Sequence, residues 1–138
     1  MLAVDIQKKE YDRPMNATQR EQQAQIFRAL MHPARLAILE LLRDGEACVC
    51  HLEAHLGYRQ AYISQQLAAL RAAGLVRDRR AGWNVYYRVV QPELFALLDA
   101  ALVIVGASAE PTPEPRPLAD CSCPKCAPGR YPASFSAV

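Results

Sequence analysis

Apolar positions along this chain recur first with the period of a helix and then with that of a strand. From Thr18 to Leu30, "TQREQQAQIFRAL", a polar start leads to Ile26, Phe27 and Leu30, the spacing of an amphipathic helix. "MHPARLAILELLRDG" follows, with Pro33 in a first-turn position, Leu36, Ile38, Leu39, Leu41 and Leu42 covering most of the circumference, and Gly45 as a natural stop. That coverage predicts a largely buried helix. A third, short helix is expected from about Cys50 to Leu56, ending at Gly57. "RQAYISQQLAALRAAG" then sets Ile63, Leu67 and Leu70 at helical spacing and leaves Arg59, Gln60, Tyr62, Ser64, Gln65 and Arg71 on other faces. Two helices joined by a tight glycine-containing turn, the second rich in amides and a serine on its open side, form a helix-turn-helix pattern.

In "LVRDRRAGWNVYYRVV" the period changes to two around "AGWN", which predicts a β-hairpin carrying Arg77, Arg79, Arg80 and Arg88. A basic hairpin directly after a helix-turn-helix is a wing. "PELFALLDAALVIV" predicts a last helix with Pro92 in its first turn. Its apolar residues leave too little polar face for a helix lying alone on a surface, so a partner subunit is expected to cover it. The expected fold is mainly α with a small β-hairpin wing: a dimeric winged helix-turn-helix of five helices plus a flexible cysteine-containing tail. Residues 1–16 lack a period and include Pro14, which suits a flexible arm; residues 17–106 form the DNA-binding and dimerisation domain. Residues 107–138 carry seven prolines and cannot pack a core.

At 138 residues the chain suits one compact domain rather than two. Charged residues crowd the amino terminus, where a secretion signal needs an apolar stretch. The longest apolar run, "AALVIVGA" at 100–107, falls well short of the roughly 18 residues a membrane span needs. A soluble, cytoplasmic protein with no membrane partner is expected. In that reducing setting five cysteines, an odd number, suit metal ligands or reactive thiols better than a disulfide framework. The net charge of +2 hides an asymmetry: residues 58–90 carry six Lys/Arg against one Asp/Glu, whereas 1–57 carry seven against eight and 91–138 three against five. Positive charge concentrated in one block is the footprint of a surface that meets phosphates, since a merely solvated face mixes both signs.

"LMHPARLAILELL", "EACVCHLEAHLG", "ISQQLAALRAAGLV" and "RRAGWNVYYRV", in this order, resemble the ArsR/SmtB family of winged-helix metal-sensing repressors, over roughly residues 18–105. The resemblance implies a homodimer built on the first and last helices, a fourth helix entering the major groove of operator DNA, wings touching the flanking backbone, and loss of operator affinity on ligand binding. Cys48-Val49-Cys50 looks like the family's metal-binding box, although His51 stands where the box usually continues with an acidic residue. Asp99 has a possible counterpart in a second zinc site of some members, but residues 92–105 contain no histidine, so no metal is expected there. Gln66, where many members have histidine, is expected to alter base reading.

Cysteines two apart on an ideal helix point about 200° from each other. To share one ion, Cys48 and Cys50 must sit where the backbone is still entering the helix, whose positive end also favours the thiolate. Further sulfur comes from Cys121, Cys123 and Cys126 in "CSCPKC", a proline-containing segment able to wrap an ion within or across the dimer. Three thiolates suit trivalent arsenic or antimony; four suit cadmium, lead or zinc. The reading that follows is a repressor, not an enzyme, in which Arg59, Gln60, Tyr62, Ser64 and Gln65 face the groove, the wing arginines Arg79, Arg80 and Arg88 bind phosphates, and Arg71 is a further DNA-binding residue. Arsenite is the first choice of inducer. Three alternatives stay open. Cys48 and Cys50 pack as small core residues; the thiols form a redox switch with a disulfide between helix and tail; or the protein is a cytosolic metal buffer or thiol oxidoreductase. His51 and His55 do not match a metallopeptidase pattern and are read as packing or solvated residues, with His51 a possible auxiliary ligand. Trp83 is either a wing contact or a turn anchor.

Overall fold

A computed structural model describes residues 14–107; most of the amino-terminal arm, and the tail with Cys121, Cys123 and Cys126, lie outside the described residues. Helix α1 (Ala17–Leu30) opens on a capping box. Asn16 Oδ1 accepts from the Gln19 amide at 2.8 Å, and Gln19 Oε1 accepts from the Asn16 amide at 3.0 Å. Two of the amide donors that a helix start leaves orphaned are thereby satisfied. Helix α2 (Pro33–Leu41) begins with proline, which loses nothing at a position with no amide partner. It stops short of Gly45; the chain turns there with Gly45 at φ +126°, a conformation costly for any residue with a Cβ.

Strand β1 (Ala47–Cys48) runs straight into α3 (Val49–Leu56), which Gly57 closes in the left-handed region at φ +71°. Helix α4 (Gln60–Ala72) follows after the tight turn, then β2 (Val76–Ala81), β3 (Asn84–Val89) and α5 (Glu93–Ile104). Five helices and a hairpin wing are therefore present as the periodicity predicts. The sheet has one strand more than expected: β1 pairs antiparallel with β3, giving the order β1-β3-β2.

Ile38, Leu39, Leu52, Ile63, Leu67 and Leu70 are fully buried at the centre of the core, with Ala47 and Val76 carrying the sheet onto it. Leu52 of α3 and Ile63, Leu67 and Leu70 of α4 share this core, which packs the two helices on either side of the turn together. Leu94 and Leu98 bury one side of α5, while Val103, Ile104 and Val105 at its end are 74–85 % exposed. Among the described residues no helix is long and apolar enough to cross a membrane.

Candidate functional site

Helix α4 divides its surface cleanly. Ile63, Gln66, Leu67 and Leu70 turn inward. Arg59, Gln60, Ser64, Gln65 and Arg71 are exposed, and Tyr62 is half-buried. The Tyr62 ring lies 5.1 Å from that of Tyr58, and the two tyrosines line a shallow depression of about 400 Å³ with Gly57 and Arg59. The Tyr62 hydroxyl is 3.5 Å from His32 Nε2, while His32 Nδ1 accepts from the Ala34 amide at 3.3 Å. Tyr58 was missed from the sequence; its signal was the Tyr58–Tyr62 spacing of four, which stacks side chains on a helical start.

Gln66 does not do what its place in the recognition helix suggested. It is 7 % exposed, and its Oε1 accepts from Arg35 Nε at 2.8 Å, with Arg35 Nη1 donating to the Ala29 carbonyl at 3.1 Å. A buried amide must be hydrogen-bonded, and this one ties α4 to α2 instead of reading a base.

The wing arginines fall into two groups. Arg77 and Arg88 face each other across β2 and β3, and Arg80 is exposed near the tip. Among the described residues no carboxylate pairs with these three or with Arg59, so their charge is unspent within the fold. Arg79, expected among the phosphate contacts, is instead engaged internally. Its Nε and Nη2 donate to the two carboxylate oxygens of Glu46 at 3.0 Å each, and its guanidinium lies 5.1 Å from the Tyr86 ring centroid. Such a bidentate pair fixes the side chain in the fold. Arg71 reaches Asp78 on β2 at 3.4 Å, both side chains remaining about half exposed. Trp83 at the tip is fully exposed, so its ring anchors nothing in the turn.

Cys48 is the N-cap of α3, in extended conformation, and its sulfur accepts from the His51 amide at 3.4 Å. Cys50 lies in the first turn. The divergence of an ideal helix therefore does not apply, because Cys48 is still strand: the two sulfurs meet and are joined as a disulfide, with Cα atoms 5.4 Å apart. Cys48 is buried and Cys50 exposed. The redox alternative placed the bond between helix and tail, whereas the partner seen for Cys48 is Cys50. His51 is buried and its ring packs at 4.3 Å on that of His55, as expected of packing histidines. Among the described residues no group of three or more His, Cys, Asp or Glu could hold a metal ion. Cys48 and Cys50 offer two sulfurs, and any further thiolate has to come from outside this segment.

Asp99 is occupied by a cation of the protein itself. Its oxygens accept from Arg43 at 2.8 and 3.2 Å; Glu40 accepts from the same guanidinium, which also lies 4.8 Å from the Phe95 ring centroid. The hydrogen bonds that Arg43 donates to Glu40 and then to Asp99 raise its pKa above its ordinary value. The group is therefore a clamp between α2 and α5.

A helix-turn-helix with an exposed polar face, followed by a basic hairpin, defines a winged helix-turn-helix DNA-binding regulator. Residues 32–78 match the family model described as "Bacterial regulatory protein, arsR family". The chain is 40 % identical over 85 residues to a biofilm growth-associated repressor of Agrobacterium fabrum, covering 62 % of this chain and 73 % of that protein. It is 42 % identical over 87 residues to the arsenic resistance transcriptional regulator ArsR1 of Pseudomonas putida, covering 62 % and 67 %. Among solved structures it is similar to the homodimeric winged helix-turn-helix DNA-binding domain of a possible ArsR-family regulator of Mycobacterium bovis. There the TM-score is 0.60 at 33 % identity, covering 65 % of this chain and 83 % of that one. The chain belongs to the ArsR/SmtB family of transcriptional regulators, which are DNA-binding proteins and not enzymes.

Proposed function

We propose that the protein is a homodimeric transcriptional repressor that leaves its operator when a thiophilic ion is held by Cys48 and Cys50, completed by thiolates among Cys121, Cys123 and Cys126. Arsenite is the first choice and antimonite shares its chemistry; cadmium, lead and zinc follow. The observation that carries the reading is the placement of Cys48 at the N-cap of α3, which brings both sulfurs of the pair together at the start of the first helix of the helix-turn-helix. An ion that draws on these sulfurs pulls on the helix that shares a turn with α4. A coupling of about 1–3 kcal/mol between two such sites corresponds to roughly 5- to 150-fold release. The exposed Val103–Val105 end of α5 supports a dimer, since a partner subunit gives that apolar surface a cover.

On this reading α4 enters the major groove through Arg59, Gln60, Tyr62, Ser64 and Gln65, while Arg77, Arg80 and Arg88 meet phosphates. The test is fluorescence anisotropy of a labelled duplex from the gene's own promoter region with fully reduced protein, titrated separately with arsenite, antimonite, cadmium, lead and zinc. Near-stoichiometric release by one ion, abolished in Cys48→Ser/Cys50→Ser with DNA binding retained, is the expected result. Undiminished release in that double variant refutes the site.

The Cys48–Cys50 bond favours a second reading, a redox switch within the pair. Two thiols give two electrons and two protons to hydrogen peroxide, forming the disulfide and two waters. Release by peroxide with no metal present, together with no release by any ion, selects this reading over the first.

A further inference from the structure

Cys48, Tyr86 and Arg79 form one row across the sheet: Cys48 is in register with Tyr86 on β3, and Tyr86 with Arg79 on β2. Residues directly opposite in an antiparallel sheet project from the same face. Glu46, two positions before Cys48, shares that face and closes the row by taking both Arg79 donors at 3.0 Å. Its side chain is only 12 % exposed, so water competes weakly for the pair. One three-residue stretch thus carries the thiol at Cys48 and, through Glu46 just before β1, grips the strand that leads to the tip of the wing.

From this geometry we infer that Glu46 and Arg79 are positioning residues that couple the state of the Cys48–Cys50 pair to the wing. The inference rests on the thiol-sensing reading above. Strand β1 is two residues long, held by its ladder with β3 and by the Glu46–Arg79 fork. So short a ladder can open without unfolding the core, and Cys48 belongs both to β1 and to the cap of α3. Whatever displaces the Cys48 sulfur from the cap loosens β1. The fork turns that loosening into a displacement of β2, and with it of Arg80 and Trp83. Arg79 is in this account a coupling residue, and its charge is unavailable to a phosphate.

Coupling between sites is reciprocal, so bound DNA must alter the thiols. The experiment uses the full-length protein with Cys121→Ser, Cys123→Ser and Cys126→Ser, reduced, and measures alkylation of Cys48 and Cys50 by iodoacetamide with and without saturating promoter duplex. The expected result is a rate change of fivefold or more on adding DNA, shrinking below twofold in Glu46→Gln and in Arg79→Met and recovering in Glu46→Asp. Trp83, the single tryptophan, reports wing engagement in the same samples. An equal DNA effect in all variants overturns the inference, as simple shielding by DNA would persist without the fork. No DNA effect in the parent protein overturns it as well. The reading beneath it fails differently: if the duplex binds but no ion or oxidant releases it, thiol sensing is wrong, while the rates still decide the role of the fork.

Discussion

Along the row that starts at the β1 edge of the wing sheet Cys48 is 3 % and Tyr86 1 % exposed, and Arg79 is paired with Glu46; at the tip Trp83 is fully exposed and Arg80 faces water. One sheet therefore serves two purposes. The row that starts at that edge is part of the fold, its arginine on β2 paired with a carboxylate and lying over a ring; the tip spends nothing on the fold. The same division runs through the positive block of residues 58–90. Arg79 and Arg71 are drawn into ion pairs with Glu46 and Asp78, whereas among the described residues Arg59, Arg77, Arg80 and Arg88 meet no carboxylate. Charge left unpaired at a solvent-facing surface is what an anionic partner can use.

Removing Tyr86 breaks the comparison most severely if the edge is indeed structural. Tyr86→Ala deletes a large buried aromatic beneath Arg79 and beside Cys48, and such truncations cost about 3–5 kcal/mol. Chemical denaturation should show a midpoint lowered accordingly, with Trp83→Ala unchanged at the other end. Equal midpoints for the two variants would erase the distinction between edge and tip.

This division was only partly legible in the sequence. The helices were, because Ile63, Leu67 and Leu70 or Ile38 and Leu42 repeat at helical spacing and Gly57 and Pro33 punctuate them. The hairpin was too, since "AGWN" sits between two alternating runs. Strand β1 was not: two residues cannot display a period, and what makes Ala47 and Cys48 a strand is their pairing with Tyr87 and Tyr86, some forty positions away. The site suffered from the same blindness to distance. Counting charge located the basic block but could not tell Arg79 from Arg80, because the carboxylate that claims Arg79 is Glu46, 33 residues earlier. Gln66 was misplaced for a related reason, its partner Arg35 lying 31 residues away. Convergence of Cys48 and Cys50 was foreseen as a condition on backbone entry into the helix, and the N-cap position of Cys48 meets that condition.

A smaller effect sharpens the comparison along the exposed arginines of the hairpin, from its open end to its tip. Arg77 and Arg88 are like charges placed directly opposite, an arrangement that weakens a sheet unless an anion lies over it. Arg88→Gln should leave the folded protein as stable or slightly more so, while weakening DNA binding and lowering the slope of log K against log salt by about one. Arg80→Gln should do the same without the gain in stability. A full salt slope in both variants would show that these arginines do not reach phosphates.

The smallest expected effect concerns the one acidic residue of the basic block, Asp78. It holds Arg71 at 3.4 Å in a pair that stays half in water, so its contribution to stability is on the order of 0–1 kcal/mol and is screened by salt. Asp78→Asn removes a negative charge from the surface proposed to meet phosphates and releases Arg71 at the far end of α4. DNA affinity at low salt should rise a few-fold, with the unfolding midpoint nearly unmoved. A fall in affinity would mean that the ion pair orients Arg71 toward the backbone, moving Arg71 from the neutralised group to the working one.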